Sequence, residues 1–187
     1  PLKLQKQVDF LEMNPEYSMC FHSAKIVNEL GIADKISGVV EEREYTANEV
    51  FKQWTAPTAS LLFKRKIYDL PMNDRYKPLY GDIIMILKAA KCGKLKGMSE
   101  QMSVYRVHSG GVTYDKTRRK GFAKRLPEHF LYIRDNFGEM LENKILNKTL
   151  ASAYRGRLYY YPIRFISSID FLYSVVFDPS YYMKKIR

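Results

Sequence analysis

Cysteine is scarce and nowhere clustered: Cys20 and Cys92 are the two in 187 residues, and neither sits in a Cys-x-x-Cys or a Cys/His spacing. That excludes a disulfide framework and a local zinc site, and points to buried or inert thiols. Long apolar runs are missing as well. The longest, broadly 158–177, is interrupted by Arg164 and Asp170, so nothing in it reads as a membrane span. Low-complexity tracts and internal repeats are also absent. Acid is the other shortage, and it is local. Residues 116–187 hold 15 Lys/Arg against 6 Asp/Glu, a balance of +9 in a chain whose formal charge is +11. The same stretch carries Tyr154, Tyr159, Tyr160, Tyr161, Tyr173, Tyr181 and Tyr182. Basic residues interleaved with aromatics suit an anionic surface such as lipid headgroups, diphosphates or nucleic acid. The 46% hydrophobic content is enough for a sizeable core, so the chain is expected to be folded.

The apolar spacing predicts a helix over 2–13, stopped by "MNPE", since the residue before a proline leaves the helical region. "YSMCFHSAKIV" alternates as a strand does. "NELGI" turns the chain. "EEREYTANEVFKQW" reads as an extended piece and a short helix, with Thr46 and Glu49 spaced as a capping box. "TASLLFKR" reads as a second strand and "DIIMILKAAKCGK" as a compact helix closed by Gly93. "KLKGMSEQMSVYRVH" is extended, as one strand or as two about Gly97. "YDKTRRKGFAKR" reads as a mobile basic loop, and from Pro127 onward the pattern is helical.

Three groups of residues could carry chemistry. Asp82, after Gly81, stands at the start of the predicted helix "DIIMILKAAKCG". An acid there is common as a cap, because its carboxylate satisfies free N–H groups. A long polar loop delivers it, however, and upstream lies "QWTAPTAS". There Trp54 offers a face for a sugar ring, beside small polar residues. An Asp near such a floor can act as general base on a hydroxyl. The second group is "YRVHSGG". Arg106 and His108 share one side of an extended segment and could hold a diphosphate, or His108 a metal bound to it. They could equally face solvent on an edge strand, with Gly110 and Gly111 a simple turn. His22 reads as a half-buried strand residue and His129 as helix surface. The third is the basic segment itself, six Lys/Arg in the ten residues 116–125 with no acid among them.

The run "WTAPTASLLFKRKIYD…YGDIIMILKAAKCGKLKGMSEQMSVYRVHSGGVT", with the opening "PLKLQKQVDFLEMNPEYSMCFHSAKIV", resembles the second half of bacterial family 2 glycosyltransferases of the GT-A fold. The likeness covers residues 1–115; residues 116–187 are only generically like the C-terminal helices of such enzymes. It implies a mixed α/β fold, a partial GT-A (Rossmann-like) sheet with flanking helices and a C-terminal helical tail. It also implies inverting transfer of a sugar from a nucleotide-diphosphate donor to a hydroxyl of a glycan or lipid-linked acceptor. Asp82 would be the base. Trp54, Thr58 and Ser60 would line the acceptor side. Arg106 and His108 would lie near the diphosphate and a divalent metal, Mn or Mg, with His108 as its ligand. Gly110 and Gly111 would hinge a lid over the nucleotide. The family's Asp-x-Asp metal motif occurs nowhere in this chain. The nucleotide-binding half is therefore expected to precede Pro1 in a longer protein, and the 187 residues alone to be inactive. The expected location is the cytoplasm, peripheral at the inner face of the membrane. A second reading makes the chain a non-catalytic basic module on anionic membranes. Nucleic acid is not an expected partner, because no recognised motif accompanies the charge.

Overall fold

The structure, a computed structural model, describes residues 2–31, 33–37, 39–53, 56–110, 116–161 and 164–183. Trp54 and Gly111 lie outside them. The fold is mixed α/β with a helical tail, and the chain divides into two compact units: Pro1–Pro71 with Gly81–Tyr114, and Met72–Tyr80 with Asp115–Arg187.

The first unit is built around one strand. After helix α1 (Lys3–Met13), β1 (Tyr17–Val27) is buried along nearly its whole length, with only Lys25 exposed. A strand covered on both faces must be central, and β1 has three neighbours. β2 (Ala33–Ser37) and β4 (Leu62–Phe63) pair with it antiparallel, and β5 (Lys94–Arg106) pairs with it in parallel from Tyr17↔Lys94 to Val27↔Arg106. The short β3 (Glu44–Tyr45) lies antiparallel on the other side of β5, opposite Leu95 and Lys96. The parallel pair needs a crossover, which α2 (Ala47–Gln53) and α3 (Gly81–Cys92) help to supply. Met19, Phe21, Val50, Ile67, Ile86 and Leu95 form the centre of its core. Burying each such side chain contributes roughly 1.5–3 kcal/mol before entropy is counted.

Local chemistry explains most of these boundaries. The predicted capping box closes as drawn: the Thr46 N–H donates to Glu49 Oε2 at 2.8 Å, and the Glu49 N–H donates to Thr46 Oγ1 at 3.2 Å. Gly93 ends α3 where a Cβ would approach the Glu16 carbonyl at 2.5 Å. β5 is one continuous strand, not two. The expected strand over "TASLLFKR" shrinks to Leu62–Phe63, because Thr58–Ser60 wind into a single 3-10 turn. β2 carries no alternating apolar pattern and was not anticipated.

The second unit is helical. α4 (Lys116–Phe137) packs on α5 (Asn143–Tyr160), α5 on α6 (Arg164–Phe177), and α6 on α7 (Pro179–Met183). Ile133, Phe137, Leu146 and Leu150 are fully buried between them. Of the stretch read as a mobile basic loop, residues 116–125 form nearly the first three turns of α4, and Pro127 lies inside that helix rather than opening it. Lys and Arg are strong helix formers, and Ala123 is buried on the inner face, so the charge does not prevent a helix. The segment 72–80 belongs here: the Asn73 N–H donates to Asn136 Oδ1 at 2.7 Å and the Leu79 N–H to His129 Nδ1 at 3.1 Å. Among the described residues no helix is long and apolar enough to cross a membrane.

Candidate active site

Asp82 lies in the first turn of α3, one residue inside the helix that Gly81 opens. Its Oδ1 accepts from the Ile83 N–H at 2.9 Å and its Oδ2 from the Thr58 hydroxyl at 2.8 Å. The carboxylate is thus oriented by one helix amide and one side chain, and it stays half-exposed. Each carboxylate oxygen keeps a free lone pair, so a further hydroxyl can still donate to it.

Thr58 reaches Asp82 because its turn is pinned from below. The Ser60 carbonyl accepts from Gln7 Nε2 at 2.8 Å, the Ala59 carbonyl from Lys3 Nζ at 2.9 Å, and the Ser60 hydroxyl donates to the Pro57 carbonyl at 2.6 Å. Ser60 has no exposed surface and cannot line an acceptor cleft as expected. It is instead the buried anchor of the turn that presents Thr58. In "PTAS" both hydroxyls look alike; only the reach of Gln7, 53 positions away, separates them.

Arg106 is the last residue of β5 and is exposed. The Val107 N–H still donates to the Val27 carbonyl at 2.8 Å, so pairing with β1 holds to the residue before His108, which is also exposed. Asn28, Glu29 and Leu30 of the β1–β2 turn, with Val107, His108 and Ser109, line an open groove of about 360 Å³. Glu29 was not anticipated. It accepts from the Ser109 N–H, and that bond, followed by the Ser109 hydroxyl, holds its carboxyl below the ordinary 4.5; His108 adds a smaller Coulombic push in the same direction. Gly31 of the facing turn has φ +76°, the left-handed region that favours glycine, and a Cβ on Gly110 would meet the His108 ring at 3.5 Å; the other expected hinge residue, Gly111, lies outside the described residues.

The residues therefore gather as two groups, Asp82 with Thr58 and His108 with Glu29 and Ser109, and Arg106 is not part of the groove's lining. No hydrogen bond or ion pair among the described residues joins one group to the other. His108 and Glu29 could donate to a cation, but no three described His, Cys, Asp or Glu side chains come together as a metal centre. His22 and His129 are both fully buried, against the expectation of a half-buried and a surface residue. Burial pushes His22 below its ordinary 6.5, opposed by the hydrogen bond from its Nδ1 to the Ser23 carbonyl at 2.8 Å. The His129 ring stands edge-on to Tyr80 at 5.2 Å.

No family model matches the chain. It is similar to uncharacterized proteins of Mycobacterium bovis (Mb1547) and Mycobacterium tuberculosis (Rv1520), at 29% identity over 126 residues in each case. Those residues are 65% of this chain and 35% of each relative. The chain thus spans about a third of the length of the curated relatives it matches.

Proposed function

We propose that residues 1–115 are the acceptor-side half of an inverting glycosyltransferase of the GT-A type. The observation that carries this reading is the half-exposed Asp82 carboxylate, held by the Thr58 hydroxyl at 2.8 Å with lone pairs to spare. On this reading Asp82 takes the proton of the acceptor hydroxyl as that oxygen attacks the anomeric carbon of the donor sugar. The bond from that carbon to the diphosphate oxygen breaks on the opposite face, and the configuration inverts. Charge then develops on the departing nucleoside diphosphate, where the Arg106 guanidinium and the His108 side chain would face it. His108 is the residue that could contribute one ligand if Mn or Mg serves. The natural setting would be the cytoplasmic face of a membrane, with a glycan or lipid-linked acceptor.

The test is sugar transfer by the full-length natural protein from a panel of nucleotide-diphosphate sugars. Replacing Asp82→Asn removes the base but keeps the shape, and transfer is expected to fall by about 10²–10⁴ with donor affinity unchanged. Thr58→Val should give a smaller loss, about tenfold, since the carboxylate stays but swings more freely. Wild-type turnover in Asp82→Asn would remove Asp82 from the role.

A further inference from the structure

Over residues 168–177, helix α6 turns an apolar stripe outward, while Tyr173 and Phe177 stack on Tyr154 of α5. Ile169, Leu172 and Val176, at spacings of three and four, share one face, and that face is in the solvent: Leu172 is 60% exposed and Val176 63%. The opposite face carries Asp170 and Ser174, four apart, and both are completely buried. The inward polar groups are fully engaged. Asp170 takes a two-pronged ion pair from Arg157 of α5, and the Ser174 hydroxyl bonds Tyr182 and the Phe171 carbonyl. α7 continues the pattern, with Met183 66% exposed and Asp178 buried against Arg155. A helix in water puts its apolar stripe on the core. The reverse arrangement is favoured where the medium outside is less polar than the contacts inside.

We propose that the outward face of α6 and α7 is a docking surface for an anionic lipid bilayer, on which the pair lies in the plane of the interface. Three observations choose that occupant. The stripe of Ile169, Leu172 and Val176, flanked by Phe171 and Tyr181, suits the acyl boundary and its aromatic belt. Both acids of 168–183, Asp170 and Asp178, are buried, so the exposed surface there carries no negative charge. Lys148 and Arg155 act on Asp178, and the sequence brackets the helix pair with Arg164, Lys184, Lys185 and Arg187. A second copy would press one +9 segment against another, whereas anionic headgroups complement it. This inference does not rest on the transferase reading.

The test is co-sedimentation of the 187-residue chain with vesicles of phosphatidylcholine alone, and of phosphatidylcholine mixed equally with phosphatidylglycerol. Binding is expected to the mixed vesicles, to weaken as salt shortens the screening length, and to drop about tenfold in Leu172→Ser with Val176→Ser. That pair of changes leaves the charge unaltered and touches only exposed positions. As a readout that does not depend on the stability of that variant, Leu172→Cys in a Cys92→Ser background carries an environment-sensitive fluorophore. Its emission should shift to the blue on mixed vesicles and not on neutral ones. Three results would overturn the assignment. They are no binding to the mixed vesicles, equal binding by the double serine variant with an unshifted label, or a lipid-free dimer that the double variant dissolves.

Discussion

Burial pushes the Cys20 thiol up to about 11, with the Gln7 side-chain contact opposing it. The sulfur sits in the centre of β1 with no exposed surface, while Cys92 at the end of α3 is partly open. Thiolate, not thiol, reacts, so a maleimide at neutral pH should label Cys92 and spare Cys20 until the protein is denatured; equal labelling in the native state would contradict the packing of β1. Glu29 gives a second residue-level expectation. Its folded value is depressed, so the contribution of its bond to Ser109 is present above the ordinary 4.5 and is lost as pH falls through the lower folded value. Exchange of the Ser109 amide should therefore accelerate in acid below that point, and Glu29→Gln should lose this acid dependence. A Ser109 amide that exchanges alike in both proteins at every pH would sever Glu29 from the turn. Neither residue was legible as a partner, because the pairing joins positions 80 apart across a parallel strand pair.

At the scale of elements, legibility followed the range of the interaction. The Thr46–Glu49 box, α3, β1 and the extended "KLKGMSEQMSVYR" are fixed by neighbours within a few residues, and the sequence pattern finds each of them. The first turns of α4 read as a loop because charge hides good helix formers, and the helical pattern from Pro127 onward does not say which face of α6 turns inward. The candidate site divides likewise. Asp82 at the helix start and Arg106-x-His108 at the strand end stand where expected, while Ser60 proved to be an anchor and Glu29 went unseen. β5 offers a sharp test of its own. A Cβ on Gly97 would meet the Glu41 carbonyl at 2.6 Å and the Val40 side chain at 2.8 Å, and the Gly97 N–H already donates to the Arg43 carbonyl. Backbone is one of the obstacles, so Gly97→Ala should lower stability by about 1–3 kcal/mol in chemical denaturation. A neutral result would mean that the 40–45 segment gives way freely.

Across the whole molecule, the two units have separate cores and opposite electrical habits. The first is nearly balanced in charge; the second carries most of the basic excess and buries two of its acids, Asp170 and Asp178, while Glu128, Asp135, Glu139 and Glu142 stay exposed. Asp170 is the clearest case, completely buried and held by Arg157, whose own value is raised first by that bond. Cutting one partner strands the other, and losses of about 3–5 kcal/mol are typical of that lesion, while replacing both by apolar residues is often near neutral. Asp170→Ala is therefore expected to destabilise the helical unit strongly, and Asp170→Leu with Arg157→Leu to recover much of the loss. Hydrogen exchange followed residue by residue gives the decisive reading. If the cores are independent, amides of α5 and α6 lose protection in Asp170→Ala while those of β1 keep theirs, and Gly97→Ala produces the converse pattern. Loss of protection shared equally by β1 and α5 in either variant would mean that the 187 residues unfold as one body.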